Sequence, residues 1–466
     1  MKTAPSTCTF PAFFIFCFAV TGLEAEPLTL EACIERALAH NNQVRLAQQG
    51  VRRSVANVKS ARAQRLPNVN TTLLNFSRSR TGASVRIQDN PTGEIDPLTG
   101  QRIFREETTQ IPGFERNSYS FSTSLNQNLY DGGNTRHAHH SARRFLDSSE
   151  KELEWQQAMT IFNARRRFFD LLKAQGLVEV QRDAVGLGEK RLEEAQARLE
   201  VGAGIRADVL RLMVAAENDQ ADLINAEQQV LLARANLNHL MGADISQPLE
   251  VVPVTDIKPV DMSRISLRDL VTRTQQQNPN MARLSFVLDA AGHDLASAKA
   301  AWHPRLNGSI SYSRSNEVFD RVYQDLNLNY RLNAGVNLSY NLFDGGIRSA
   351  SIDRSRISLE AARMNLEQEK RDLALAVEIA YLELARLNKI VTINERTVEL
   401  AQEDLRLAEE SYRVGRGTLL ELLDAQVGFT QARSNQISGR YNLVVAVADL
   451  ERLAGPAAVA DVGLDP

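Results

Sequence analysis

The sequence predicts a mainly helical protein with a smaller β part, formed by two tandem copies of one series of elements. The first observation is a duplication. The Asp-Gly-Gly at 131–133 recurs at 344–346, and the Val-Gly at 201–202 recurs at 414–415, with the same separation in both cases. The second observation is a seven-residue apolar repeat over long segments, and the third is apolar–polar alternation over short ones. Two copies indicate two halves of one architecture rather than a long array of repeats.

Residues 1–25 are predicted to be a secretory signal peptide. Lys2 precedes an apolar run from Phe10 to Val20, and small residues follow up to Ala25. The run is too short to cross a bilayer as a helix. Cleavage would leave Cys33 as a thiol without an internal disulfide partner, which we expect to lie on a helix face as a small apolar residue. The net charge of −3 gives no indication of nucleic-acid binding.

The first half begins with a helical pattern. Segment 26–66 has apolar residues mostly three and four positions apart, and it ends before Pro67. We predict a β-hairpin over 67–131, in which residues 79–117, rich in glycine and proline, form a long exposed loop on the extracellular side. In the returning strand, serine and asparagine alternate with apolar residues and a threonine: Tyr119, Phe121, Thr123 and Leu125.

The second half repeats this order with clearer strands. A helix is predicted over 267–303, and a β-hairpin with a shorter loop over 304–344. The strands have one apolar face and one face of Ser, Asn and Gly with almost no charge, and each spans about ten residues, the pattern of outer-membrane barrel strands. Four strands are too few to close a barrel, and lipid does not tolerate an open sheet edge. The sequence therefore predicts a transmembrane β part to which several chains contribute strands.

Each half ends with a long helical hairpin, over 132–242 and 345–455. Apolar residues recur largely every seven positions along the arms, which predicts a left-handed coiled-coil seam between them. The arms are joined at tips near 201–205 and 414–418. Each tip contains two glycines two positions apart, which suit a tight reversal of the chain.

The predicted lengths constrain the assembly. At about 1.5 Å per residue, helices over 134–200 and 347–413 would each span roughly 100 Å, whereas the other helices would span only about 55 Å. Two short helices end to end would match one long helix. The proline-containing segment 243–266 and the tail 456–466 would then lie at mid-height as an equatorial belt. With a barrel at one end, this arrangement predicts a conduit.

Taken in order, these features resemble the TolC-like outer-membrane efflux protein family: the signal peptide, the duplicated halves, the Tyr-Asp-Gly-Gly and Phe-Asp-Gly-Gly joints, and the Val-Gly tips. The resemblance covers essentially the whole mature chain. It implies a homotrimer whose twelve-stranded barrel in the outer membrane is continuous with a periplasmic α-barrel of coiled-coil hairpins. It also implies a passive exit duct of a tripartite efflux or type I secretion system, which docks on a periplasmic adaptor (membrane fusion protein) and an inner-membrane pump.

The resemblance further implies roles for residues at the tips. The gate would include Tyr412 and Asp208. The family places a basic residue two positions after the glycine of the second tip, but a glycine stands there in this chain, so a gate salt bridge would need Arg416 or Arg206. The residues that would dock on the adaptor are those of the two turns: Val201, Gly202, Gly204, Val414, Gly415 and Gly417.

Two acidic residues after the second tip are also implied to belong to the gate. In a trimer, Glu421 and Asp424 would form two stacked acidic rings, whose like charges favour hydration and cation binding over apolar sealing. A simpler interpretation stays open for Asp208 and Glu421, because carboxylates in the first turn of a helix complement its dipole.

The sequence contains no pattern that indicates catalysis. We find no phosphate-binding loop, nucleophile elbow or paired catalytic acids, so we predict neither enzyme activity nor a cofactor. His137, His139 and His140 lie close together, but neither a carboxylate nor a cysteine accompanies them and the other half has no counterpart. We therefore predict no metal site.

Two other functions stay open at this point. A secreted, trimeric coiled-coil protein with a structural or adhesive function would use the β segments as a soluble cap, and it would need no detergent. A periplasmic adaptor would also have helical hairpins, but four nearly uncharged strands argue against it. The exported substrate and the particular pump cannot be read from the residues.

Overall fold

The computed structural model describes residues 27–254, 259–262 and 266–455. The predicted signal peptide and the tail 456–466 lie outside the described residues. The first half contains α1 Leu30–His40, α2 Asn42–Ala63, β1 Asn68–Thr81, β2 Ser84–Ile95, β3 Arg102–Ile111, β4 Phe114–Tyr130, α3 Asn134–Glu200 and α4 Arg206–Leu240. The second half contains α5 Leu267–Gln277, α6 Pro279–Lys299, β5 Arg305–Asn316, β6 Tyr330–Ser339, α7 Ile347–Arg413 and α8 Leu419–Ala454.

The chain divides into two compact units. One comprises residues 47–154 and 279–372 and contains all six of these strands; the other comprises the remaining described residues and contains both hairpin tips. The long helices α3 and α7, each of 67 residues, pass through both units. Among the described residues, no helix is both long and apolar enough to cross a membrane.

The first unit contains a four-stranded antiparallel sheet in the order β1-β4-β5-β6. Directly paired residues share a face of a sheet. Leu125 is paired with Val69 and Ile310, whereas Ser124 is paired with Asn70 and Ser311. The register therefore confirms the predicted apolar face and the opposite face of Ser and Asn. The outer edges of β1 and β6 have no neighbouring strand within the described chain.

The prediction of a long loop at 79–117 is wrong in its conformation. β1 continues to Thr81, which is paired with Phe114, and β2 and β3 then form a second, two-stranded sheet in register from Ser84 and Ile111. Gly82-Ala83 and Pro112-Gly113 interrupt the two strands at the same level. These breaks and the many charged residues conceal the alternation, which explains why the segment has the composition of a loop.

The helix predicted over 26–66 is divided at Asn41, and the one over 267–303 is divided at Asn278. Both asparagines are extended, with ψ angles of 125° and 124°. Asn41 accepts a hydrogen bond from the backbone N–H of Gln43 (2.8 Å), and thus caps α2. Asn278 precedes Pro279, which disfavours helical geometry in the residue before it. The two breaks occupy equivalent positions in the two halves, because their separation equals that of Pro67 and Pro304.

The core of the second unit lies where α1 packs against the hairpin helices. Phe168 and Leu171 of α3, Leu237 of α4 and Cys33 of α1 are fully buried there. A short parallel bridge joins Leu28 to Val251, so the segment after α4 is held beside the start of α1. Burial raises the pKa of the Cys33 thiol to about 12. The expectation that Cys33 is a small apolar residue on a helix face is confirmed.

We expect Cys33 to be almost inert in the folded protein. Because the thiolate is the reactive form, a pKa near 12 lowers the rate of disulfide exchange at pH 8 by about 10³-fold relative to an exposed thiol. The measurement is reaction of the chain without residues 1–25 with a chromogenic disulfide, before and after denaturation. Leu46→Cys in a Cys33→Ala background is the matched control, because Leu46 is exposed on α2. Rapid reaction of native Cys33 would contradict the prediction.

Candidate functional site at the hairpin tips

Both predicted tips are helix-ending turns of the same geometry. Gly202 has a φ of +77°, and the N–H of Ala203 donates to the carbonyl of Arg198 at 2.8 Å. At the second tip Gly415 has a φ of +75°, and the N–H of Arg416 donates to the carbonyl of Ser411 at 2.9 Å. This pattern is the Schellman motif, in which glycine takes the left-handed position at the end of a helix.

The second glycine of each tip is required by close backbone contacts. A Cβ atom on Gly204 would lie 2.7 Å from the backbone nitrogen of Leu199, and one on Gly417 would lie 3.0 Å from Cβ of Ser411. Gly417, where the resemblance implies a basic residue, thus lies against closely packed chain. Arg206 and Arg416 are exposed, and neither has a carboxylate within 4 Å among the described residues.

The acidic residues implied for the gate have different surroundings. Glu421 forms a capping box at the start of α8: its carboxylate accepts from the N–H of Thr418 (2.8 Å), and its own N–H donates to the Thr418 hydroxyl (3.2 Å). Asp424, one turn later, is exposed. Asp208 is half-buried in the first turn of α4, where Ile205 provides no side-chain cap. The capping interpretation therefore holds for Glu421, whose carboxylate also remains close to solvent.

The two tips pack against each other within one chain. Leu419 of α8 belongs to the same buried apolar cluster as Val209 and Leu212 of α4. Tyr412 contacts this cluster and a second one around Leu422, and the guanidinium group of Arg198 lies 5.7 Å from the centre of its ring. Tyr412 therefore joins the hairpins by apolar and cation–π contacts.

Farther from the tips than this cluster, a polar network contains one residue from each of the four hairpin helices. Arg191 of α3 donates to the carboxylate of Glu409 on α7 and to the side-chain carbonyl of Gln426 on α8. Gln426 in turn donates to the carboxylate of Asp219 on α4 at 3.4 Å. Burial, followed by the nearby charge of Asp222, raises the pKa of Asp219, whereas Arg191 acts in the opposite direction. We call Arg191, Asp219, Glu409 and Gln426 the Arg191 clasp.

None of the clasp residues was predicted from the sequence. One signal was present: Gln426 follows Leu422 by four positions and so lies on the buried face of α8, where a polar side chain needs a partner. The other clasp residues belong to three other helices. Arg191 and Asp219, which contact Gln426 directly, lie in the other half of the chain. The sequence does not specify which of the many polar residues meets Gln426.

A fourth histidine lies beside the three histidines at the start of α3. It is His293 of α6, with its Nδ1 atom 3.5 Å from Nδ1 of His137 and its ring stacked on that of His140. Burial, then the positive charges of Arg65, Arg143 and Arg62, lower the pKa of His139. Among the described residues, no group of three or more His, Cys, Asp or Glu side chains is arranged to hold a metal ion.

The two-faced sheet, the duplicated helical hairpins and the packed tips together define an outer-membrane channel protein. The sequence model of the outer membrane efflux protein family matches residues 33–243 and 270–456, and the chain belongs to this family. It is an outer-membrane duct for export, with a periplasmic extension.

Individual relatives and solved structures agree with this assignment. The outer membrane efflux protein BepC of Brucella suis biovar 1 is 23% identical over 445 residues, which cover 96% of this chain and 89% of that protein. The outer membrane protein TolC of Vibrio cholerae is 25% identical over 79% of this chain and 83% of its own length. The solved CmeC outer membrane channel of Campylobacter jejuni has the same fold, with a TM-score of 0.75 at 15% identity over 91% of this chain and 85% of that chain.

Proposed function

We propose that three copies of this chain form one channel, to which each copy contributes four strands of a twelve-stranded barrel. The supporting observation is the sheet itself. It has an apolar face suited to lipid, an opposite face of Ser and Asn suited to a water-filled lumen, and two unpaired edges at β1 and β6 within the described chain. Because unpaired backbone groups are not tolerated in lipid, each β1 edge needs a β6 edge from a neighbouring copy.

The proposed channel is closed at the hairpin tips. Tyr412 and the Arg191 clasp hold the two hairpins of each chain together, and Asp208, Glu421 and Asp424 of the three chains surround the constriction. Glu421 and Asp424 face like charges from the other copies there, which keeps the constriction hydrated. Opening separates the hairpins. No reaction is carried out by the channel, and the energy for transport comes from its partners.

The partners in this proposal are a periplasmic adaptor and an inner-membrane pump, in a tripartite efflux or type I secretion system. The adaptor binds the turns of the tips, where Val201 and Val414 are strongly exposed and Ile205 and Leu420 add further apolar surface. Exposed apolar residues of this kind mark sites of protein–protein contact.

The test of this assembly is the native mass of residues 26–466 extracted from outer membranes in mild detergent. We expect three chains per particle and precipitation when the detergent is removed. A particle of any size that stays soluble without detergent would exclude the shared barrel. That result would favour the secreted structural or adhesive protein, in which the sheet forms a cap.

A further inference from the structure

Besides Arg305 at the start of β5, four exposed cationic side chains lie where the helices meet the four-stranded sheet. Each is close in sequence to the nearest strand: Arg62 and Arg65 before β1, Arg136 after β4, and Lys299 before β5. Within the part of the chain that the structure describes, none of them has a carboxylate within 4 Å. We call these four residues the joint belt.

The opposite end of the sheet is different. There Arg78 and Arg80 share Glu115, and Arg116 pairs with Glu317. Three arginines at that end are therefore paired with carboxylates, whereas Arg331 there and the cations of the joint belt are not. The joints differ from the other end in having several such cations next to the strands.

Two histidines lie close enough to the belt for its positive charges to contribute to their pKa. Burial comes first among the causes that lower the pKa of His139, and the guanidinium groups of three arginines follow, among them Arg65 and Arg62. The same shift occurs at His140, where burial is followed by neighbouring histidines and then Arg136 and Arg65. Three of the four belt residues therefore act on the same small region.

Exposed aromatic residues lie at the same level as the belt. Tyr130 ends β4, Tyr340 follows β6, and Trp302 precedes β5 with about half of its surface exposed. The guanidinium group of Arg348 covers one face of the Trp302 ring at 4.3 Å. Tyrosine and tryptophan concentrate where a membrane meets water, because their rings are apolar and their tips polar.

One contact places the turn after α2 on the apolar side of the sheet. Gln127 lies on the same strand face as Leu125, because the two positions alternate with Asn126 along β4. Its side-chain amide donates to the backbone carbonyl of Arg65 at 2.8 Å. The turn after α2 therefore reaches the face that would meet lipid, and Arg62 and Arg65 can extend along that face with their charges at its boundary.

We propose that the joint belt binds the phosphate groups of anionic phospholipids in the inner leaflet of the outer membrane. The inference rests on the proposed function, because it requires the apolar sheet face to be in lipid. The joints connect the strands to the helices of the periplasmic extension, so they meet the leaflet that faces the periplasm. Each cation near an anionic membrane surface adds to the attraction, and the aromatic residues fix the depth.

The test uses the intact protein in mild detergent, with bound lipids counted by native mass spectrometry as phosphatidylglycerol or phosphatidylcholine is added. We expect phosphatidylglycerol to bind more tightly to the wild type. Arg62→Gln/Arg65→Gln should lower its affinity about tenfold and leave phosphatidylcholine unchanged. The matched control is Arg52→Gln/Arg53→Gln, which removes the same charge from exposed positions of α2 farther from the strands, and should change the affinity less than twofold.

The opposing outcomes are distinct. Equal affinity of the wild type for both lipids, or an equal loss in the control variant, overturns the inference and leaves the channel intact. Unchanged phosphatidylglycerol binding with altered anion selectivity in the Arg62→Gln/Arg65→Gln channel places these arginines in the lumen, and also overturns it. A wild-type protein that needs no detergent overturns the proposed membrane assembly as well.

Discussion

Replacing Arg191 with alanine is expected to open the hairpin tips that we propose close the channel. The side chain of Arg191 is only 11% exposed, and it joins α3 to α7 and α8 through Glu409 and Gln426. Its removal leaves the amide of Gln426, which is 5% exposed, without its donor and releases Glu409. Truncating one member of a fully buried pair costs about 3–5 kcal/mol, but Glu409 is 45% exposed. We therefore expect a loss of about 1–2 kcal/mol, or a ~5- to 30-fold larger open population.

The measurement is single-channel conductance in planar bilayers, supported by uptake of a large antibiotic by cells that carry the variant. Arg182→Ala is the matched control. Arg182 also extends from α3 and pairs with Glu227 at 3.1 Å, but Glu227 is on α4, so this pair lies within one hairpin. The control should leave conductance unchanged. If both variants conduct alike, or Arg191→Ala conducts like the wild type, the clasp does not hold the tips closed.

The sequence predicts the fold wherever apolar residues recur at one regular spacing along a segment. The alternation in β4 to β6 fixes which side chains share a face, and the register reproduces it. The glycines of the tips are equally predictive, because a left-handed φ at 202 and 415 is rare for other residues. The prediction is wrong at 79–117, where frequent charged residues and breaks hide two strands. These strands form because they pair with each other, which local composition does not show.

The site was predictable only in part, for a related reason. The hydrogen bonds of the turns and of Glu421 join residues three to five positions apart, so they can be predicted from sequence spacing. The Arg191 clasp joins residues from four helices, so it depends on how the hairpins pack against each other. Likewise, His293 is far from His137 in the sequence, and only the packing of α6 on α3 brings them together. Sequence spacing contains no information on either encounter.

Replacing Gly132 with alanine is expected to be the most destabilising single substitution at the helix–strand joints. Gly132 has a φ of +70°, and an added Cβ atom would lie 2.5 Å from Cβ of His303 and 2.7 Å from the carbonyl oxygen of Ala300. The left-handed conformation alone costs alanine about 1–2 kcal/mol. Displacing the backbone before β5 adds about 1–3 kcal/mol, so a total of about 3 kcal/mol is expected.

The duplication supplies the control for this prediction. Gly345 occupies the equivalent position in the second half, with a φ of +65°, but no atom lies within 4 Å of an added Cβ. Gly345→Ala should therefore show only the conformational cost of about 1–2 kcal/mol. The measurement is the temperature at which the detergent-solubilised assembly loses helical circular dichroism, together with its yield. A markedly lower temperature for Gly132→Ala alone would assign the difference to the contact with the segment before β5. Equal decreases in the unfolding temperature of the two variants would mean that the segment before β5 moves aside at no cost. The conformation of the turn would then be the main constraint at both joints, despite their different surroundings.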